Sequence, residues 1–445
     1  MPDPDASGPQ RTLALLPWGD TIEDFLDGIG LDLEAFCERM TGGWLFGYVA
    51  ALRPFGWRTV IHVVSRNAQR VERRPHLPTG ATVCILPQPA LHRRATRGMA
   101  APWAATPEDA FRTDRRASFV RRLAWHAAPY LATPLPSLMR ELRRDGCSAI
   151  LVQEYETARF DACVLAGRLL KVPVFATFQG GDRHFRHIEH LVRPRSLAAC
   201  QGVVSASGPE AERLARDYRL PPGRIARIPN PLDTALWFPE DRAAARAALG
   251  WPDGETVVIT HGRIEMHRKG LDVLLDAWEA VVAARTGSAL RLVLVGDGPD
   301  ADALRSRLAA RPAARIAWLD RYILDRPLMR RHLNAADIYV LSSRHEGFPV
   351  APLEAMACGL PVVVADARGV PEILEAGEAS GGLLVPRGDA AALASALGRL
   401  VDDAALRRRL GAAARARVEG HFAFDVVGRA LDRLLRGVAA SGVGR

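Results

Sequence analysis

Lysine is nearly missing from this 445-residue chain: of 59 basic side chains only Lys171 and Lys269 are lysines, so arginine is the default cation. The net charge of +9 therefore reads as a compositional arginine bias ahead of a nucleic-acid surface. Cysteine is also scarce. The six residues, at 37, 84, 147, 163, 200 and 358, form no C-x-x-C pair, which argues against a disulfide framework or a zinc site and fits reduced, buried thiols. No apolar run approaches the ~20 residues that cross a bilayer. The opening MPDPDASGPQR lacks the basic-then-apolar order of a signal peptide, so residues 1–11 are expected to be a disordered tail and the protein cytoplasmic. No G-x-G-x-x-G turn is followed by the acidic residue of a dinucleotide site, which removes the dehydrogenase class.

What is present is concentrated in Ala336 to Asp366, ADIYVLSSRHEGFPVAPLEAMACGLPVVVAD. The apolar run Ile338 to Leu341 reads as a buried strand, 350–358 as a helix and Val362 to Ala365 as a second strand. Gly359 sits at the helix C-cap and Pro361 stops continuation. In open α/β sheets ligands bind at the carboxyl ends of strands. Here that turn carries Glu346, Gly347 and Phe348, followed by Pro349 and Val350. A helix N-terminus favours an anion such as phosphate, Gly347 allows close backbone approach, and the carboxylates of Glu346 and Glu354 suit hydroxyl groups. Phosphate and hydroxyls together describe a sugar nucleotide. The competing reading is a loop charge and a surface helical glutamate.

This stretch, with its glutamates at 346 and 354 in "EGFP…LEAMACGLPVV" wording, resembles the signature of the retaining glycosyltransferases of family 4, which have the GT-B fold. The resemblance implies that Glu346 approaches the donor sugar and Glu354 holds the ribose hydroxyls. A second signature is similar: Arg263 and, six positions on, Lys269-Gly270. There the cations would neutralise charge growing on a departing nucleoside diphosphate, and the scarcity of lysine makes one at 269 informative. Gly262 shares that turn. Asp320-Arg321-Tyr322 lies where family members meet the nucleotide base, with Asp320 in place of a common glycine, so Tyr322 is a candidate base contact. The resemblance is dense from about 202 to 420 and thin before 170.

The earlier chain opens like a Rossmann unit: a strand at 12–18, an insertion at 19–40, Gly42-Gly43 before a helix, and a strand at 59–64. The resemblance places Gly42 and Gly43 near the diphosphate and the acceptor. Residues 66–150 interleave many arginines with Trp103, Phe119, Leu123, Trp125, Tyr130 and Leu131, which reads either as an anionic-membrane contact or as the solvated face of an arginine-biased protein. After a strand at 172–178 the family has His-Gly; this chain has Gln179-Gly180-Gly181-Asp182. Glutamine cannot titrate but can hydrogen-bond a hydroxyl or carbonyl; Asp182 and His184 are near in sequence. Pro231 departs mildly from the family's Asn-Gly. The Pro-, Asp- and Ala-rich 229–254 segment reads as the interdomain connection. A turn and helix are expected after Arg368-Gly369-Val370-Pro371, and helices near 390–400, 403–418 and 424–439.

The sequence therefore predicts an α/β protein of the GT-B class, two Rossmann-like doubly wound parallel-sheet domains facing a central cleft. Residues 1–232 would bind the acceptor, 233–420 the nucleotide sugar, and 421–445 would form a helix crossing back. The expected activity is retaining, metal-independent glycosyl transfer from a UDP-, GDP- or ADP-sugar to a glycan, lipid-linked or small-molecule acceptor, with no further cofactor and no nucleic acid. Catalytic candidates are Glu346, Arg263, Lys269 and Gln179. Donor contacts are Gly42, Gly43, Gly262, Arg263, Lys269, Tyr322, Gly347, Phe348, Pro349, Val350 and Glu354. A non-catalytic sugar-nucleotide-binding protein or partner subunit is the alternative.

Overall fold

The computed structural model describes residues 11–17, 19–41, 43–101, 104, 106–113, 117–180, 187–311 and 315–437. The N-terminal tail, Gly42, Trp103, Gly181, Asp182 and His184 lie outside the described residues. The chain divides into two compact units: Met1–Ala206, Glu210–Ile228 and Gly428–Arg445 form one, Ser207–Pro209 and Pro229–Val427 the other.

In the first unit the strands are β1 (Arg11–Leu16), β2 (Trp57–Ser65), β3 (Glu72–His76), β4 (Ala81–Pro87), β5 (Cys147–Val152), β6 (Val174–Phe178), β7 (Gly202–Ser205) and β8 (Ile225–Ala226). They form one sheet in the order β3-β4-β2-β1-β5-β6-β7-β8, parallel except for β3 against β4. Strands covered on both faces read as continuous apolar runs, and β5 (Cys-Ser-Ala-Ile-Leu-Val) and β6 are buried nearly throughout. Phe160, Cys163 and Ala166 of helix Ala158–Leu170 pack into this core. The segment at 19–40, expected as an amphipathic or irregular insertion, contains short helices, Glu23–Leu26 and Leu33–Glu38, the second capped by Asp32. Residues 428–435 of the last helix, Phe424–Leu435, belong to this unit. Trp57 Nε1 donates to Asp432 Oδ1 at 2.8 Å, Leu431 is fully buried, and Gly428 lies so near the Ala51 carbonyl that a Cβ there would be 2.1 Å from its oxygen.

The second unit contains β9 (Thr256–His261), β10 (Leu290–Val295), β11 (Ile316–Leu319), β12 (Ile338–Leu341), β13 (Val362–Ala365) and β14 (Gly382–Val385), all parallel, in the order β11-β10-β9-β12-β13-β14. Its core joins β12 and β13 to helices Leu271–Ala283, with Trp278 wholly buried, and Ala390–Asp402. Helix Ala351–Ala357 ends where Gly359 takes a left-handed φ of 81°.

Two expectations are corrected. Residues 229–254 are not a linker. They belong to the second unit, where Asp241 caps helix Arg242–Leu249 and the buried Arg246 pairs with Asp337 at 2.7 Å. The aspartate is an N-cap and the alanines a helix, so composition misread structure. After Arg368 no α-helix forms. Val370, Ile373, Leu374 and Gly377 each bond three residues back, and the stretch runs into a 3₁₀ turn at Gly377–Ser380. Left-handed glycines at 369 and 377 bracket a stretch too short to offset helix nucleation.

Candidate active site

In the second unit the chain winds outward through β9, β10 and β11, then restarts at β12 and winds the other way. β9 and β12 are neighbours, Ile338 opposite Val258, so the strand order reverses between them. A crevice opens outside the carboxyl ends of strands at such a reversal. β9 ends in His261 and the turn after it carries Gly262 and Arg263; the turn after β12 carries Ser343 and Glu346. The two motifs recognised in the sequence thus meet at one place.

Glu346 is buried, and its Oε1 accepts from Lys269 Nζ at 2.7 Å and Ser343 Oγ at 2.6 Å. A buried carboxylate needs such donors, since an unpaired charge in low dielectric is costly. Lys269 is positioned through its own backbone: its carbonyl accepts from Ser342 Oγ at 2.9 Å, and Arg344, two residues beyond Ser342, makes two 2.7 Å bonds to Asp272. Burial works against ionisation of Asp272, but the Arg344 guanidinium outweighs it and holds the carboxyl below its usual range.

Glu354 is buried as well. Its Oε2 pairs with His261 Nε2 at 2.8 Å, and its Oε1 lies 3.7 Å from Arg326. The His261 ring packs edge-on against Tyr339 of β12, centroids 5.5 Å apart. Arg263 is 3.3 Å from Glu265 and 40% exposed, a cation at the rim. Gly347 to Val350 form the bend into helix Ala351–Ala357. The bend is fixed from two sides. Buried Asn230 donates Nδ2–H to the Phe348 carbonyl at 3.1 Å. Gly369, at φ 79°, lies against Gly347, and a Cβ there would sit 1.5 Å from the Gly347 oxygen, so only glycine fits. Gly296 packs on Gly262 in the same way, 1.9 Å from Cβ to carbonyl oxygen.

The structure brings together Lys269, Glu346, Gly347, Phe348, Pro349, Val350 and Glu354, with Gly262 and Arg263 beside them. Tyr322 lies in the exposed loop after β11, 54% accessible. Gln179 and Gly43 belong to the first unit. Gln179 is held there by a 2.7 Å bond from its backbone amide to Glu154 Oε1, and its side chain faces the hydroxyl of wholly buried Tyr48. Glu154 takes a left-handed φ of 59°, an uncommon conformation for glutamate. Gly43 opens helix Gly43–Leu52.

Sequence reasoning missed His261, Ser343, Arg326 and Asn230. Only the asparagine carried a signal, as part of the family-like Asn-x-Leu-Asp segment.

A pair of doubly wound parallel sheets, with carboxylates and cations gathered at the reversal point of the second, defines the GT-B class. Known proteins agree. Residues 255–403 match the family model described as glycosyl transferases group 1, and residues 80–236 the model described as glycosyltransferase family 4. Both matched stretches are those of glycosyltransferases of this family. It is 35% identical over 205 residues to a GDP-mannose-dependent monoacylated alpha-(1-6)-phosphatidylinositol monomannoside mannosyltransferase of Corynebacterium glutamicum, covering 44% of this chain and 51% of that one. It is 34% identical over 212 residues to a D-inositol 3-phosphate glycosyltransferase of Acidothermus cellulolyticus, covering 46% and 47%. The chain thus spans about half the length of the curated relatives it matches. In fold it is similar to sucrose-phosphate synthase from Thermosynechococcus elongatus (TM-score 0.66, 21% identity, 96% and 99% covered). It is likewise similar to Anabaena HepE in complex with UDP (TM-score 0.67, 16% identity, 96% and 100% covered).

Proposed function

We propose that this chain transfers a hexosyl group from a nucleotide-diphospho-sugar to a glycan, lipid-linked or small-molecule acceptor, with retention at the anomeric carbon and without a metal. The observation that carries the reading is the meeting of Lys269–Glu346 and His261–Glu354 at the β9/β12 reversal. The relatives support it: one is named for its GDP-mannose dependence, and one solved neighbour was obtained with UDP.

In this reading Glu354 accepts hydrogen bonds from the ribose hydroxyls, held in place by His261. Glu346 orients the donor sugar. Lys269, a compact cation, and Arg263, a forked one at the rim, stabilise charge that develops on the leaving diphosphate. The amides of Gly347 to Val350 add donors along the same bend, and Tyr322 flanks the base. In the first unit Gln179, its backbone held by Glu154, would offer a neutral amide to the acceptor, and Gly43 would border the acceptor path. The leaving phosphate itself takes the acceptor's proton, so a glutamine suffices where relatives use histidine.

The test is a screen of UDP-, GDP- and ADP-sugars by thermal shift, followed by acceptor-free hydrolysis of the donor that binds. Stabilisation by one donor with slow hydrolysis supports the reading. Failure of every donor to stabilise a folded sample overturns it, and binding without turnover identifies a sugar-nucleotide-binding protein instead.

A further inference from the structure

Helix Phe119–Leu131 of the first unit turns Trp125, Ala128 and Pro129 toward the core. At 3.6 residues per turn, the face opposite those three is Phe119, Val120, Leu123, Ala127 and Tyr130, within an arc of about 100°. A solvated face should be polar; here the one polar group is the Tyr130 hydroxyl, which donates inward to Asp161 Oδ2 at 2.9 Å. Phe119 is 79% exposed, Val120 74% and Leu123 55%. Helix Ala90–Ala95 packs beside it and adds Leu91, 61% exposed. Isolated exposed apolar residues are ordinary, but four large ones on two touching helices are not.

The two helices carry charge of one sign. Neither has an acidic residue. Arg93, Arg94 and Arg97 are exposed beside Leu91. Among the described residues the flanking carboxylates are engaged: Glu108 faces Arg122 at 3.8 Å and accepts from the Ala117 amide at 3.0 Å, Asp109 accepts from Thr106 Oγ1 at 2.6 Å, Asp161 accepts from the Tyr130 hydroxyl at 2.9 Å, and Asp20 lies 3.7 Å from His92.

From this we infer that the paired helices Ala90–Ala95 and Phe119–Leu131 dock the first unit on an anionic bilayer. Phe119, Val120, Leu123 and Leu91 enter the acyl boundary, and Arg93, Arg94 and Arg97 lie in the headgroup layer. Apolar side chains beside arginines match the chemistry of such an interface, whereas an acidic protein surface offers nothing to bury the four apolar groups. Docking would hold the enzyme where a lipid-linked acceptor is presented, but it does not depend on the donor site.

The test is co-sedimentation of the full chain with vesicles of 70:30 phosphatidylcholine:phosphatidylglycerol and with pure phosphatidylcholine, at 0.1 and 0.5 M NaCl. The wild type binds the anionic vesicles, and salt weakens the binding by screening. The F119E/L123E variant loses at least tenfold in partitioning, and R93Q/R94Q about fivefold per arginine. All substituted side chains are exposed, and circular dichroism together with an unchanged donor thermal shift verifies that each variant folds. Absence of sedimentation with either vesicle overturns the inference, as does wild-type binding by F119E/L123E. So does a dimer in light scattering that F119E/L123E dissolves without any vesicle binding, which would assign the patch to a second copy.

Discussion

Glu354 offers the sharpest test of the donor site, through Glu354→Ala. The side chain is buried, paired with His261 at 2.8 Å, and buttressed by Arg326 at 3.7 Å, so its position is set before any ligand arrives. A preorganised carboxylate accepting hydroxyls contributes ~1.5–3 kcal/mol, and losing ~2 kcal/mol raises Kd about 30-fold. At donor concentrations ~100 times the wild-type Kd, binding stabilises by ~2.7 kcal/mol; for the variant the same concentration is only ~3 times Kd and stabilises by ~0.9 kcal/mol. For a unit of this size ~1 kcal/mol corresponds to ~2–4 °C, so a wild-type shift of ~5–11 °C should fall to ~2–4 °C. Each protein is compared with its own ligand-free melting, because removing Glu354 also strips His261 of its partner. A Glu354→Ala protein that keeps the full shift would refute the assignment, and the ligand would have to sit elsewhere.

Lys269→Ala should lower kcat about a hundred- to a thousandfold with a smaller change in KM, since the cation acts on charge that develops during transfer; steady-state kinetics retaining more than a tenth of wild-type kcat would remove it from the mechanism. Gln179→Ala should lower kcat while leaving donor affinity by calorimetry within twofold, because Gln179 belongs to the other unit. Gly369→Ala should destabilise by at least ~2 kcal/mol in urea denaturation, combining a disfavoured backbone with the contact on Gly347; a loss under ~0.5 kcal/mol would show that the bend yields. His62 makes stability pH-dependent. Burial lowers it to about 4 from 6.5, opposed by Asp145 at 3.8 Å and reinforced by Arg73. Between those values the unfolded chain binds a proton that the folded one does not. Stability is therefore full above pH 6.5 and declines as pH falls toward 4, by roughly 3 kcal/mol. In His62→Gln, denaturation at pH 7 and 4.5 should differ by correspondingly less than in the wild type.

The β12–turn–β13 core of the site was legible because its signals are local: apolar runs, a terminating Gly359 and two glutamates, one in the turn and one in the helix that follows. The strand ends at β9 and β12 could be placed for the same reason. His261 and Asn230 could not, since their partners Glu354 and Phe348 lie 93 and 118 residues away and nothing local marks the pairing. The 229–254 segment failed for a different reason. Its alanines and aspartates are ambiguous until a buried Arg246 finds Asp337 across the unit. The helix expected after Pro371 failed because two left-handed glycines limit it more than its composition favours it.

The last helix bears on how the chain is made. Every strand of the first sheet has been synthesised by Ala226, yet the helix that meets Ala51 through Gly428 and Trp57 through Asp432 arrives only afterwards. On the ribosome this half of the molecule must wait, incompletely clad, while some two hundred residues of the other half emerge and fold. A stop codon placed after Arg417 would therefore harm the first unit, although it removes nothing from that unit's sheet. An attempt to produce 1–228 alone would yield a protein with exposed apolar surface around Ala51 and Phe55.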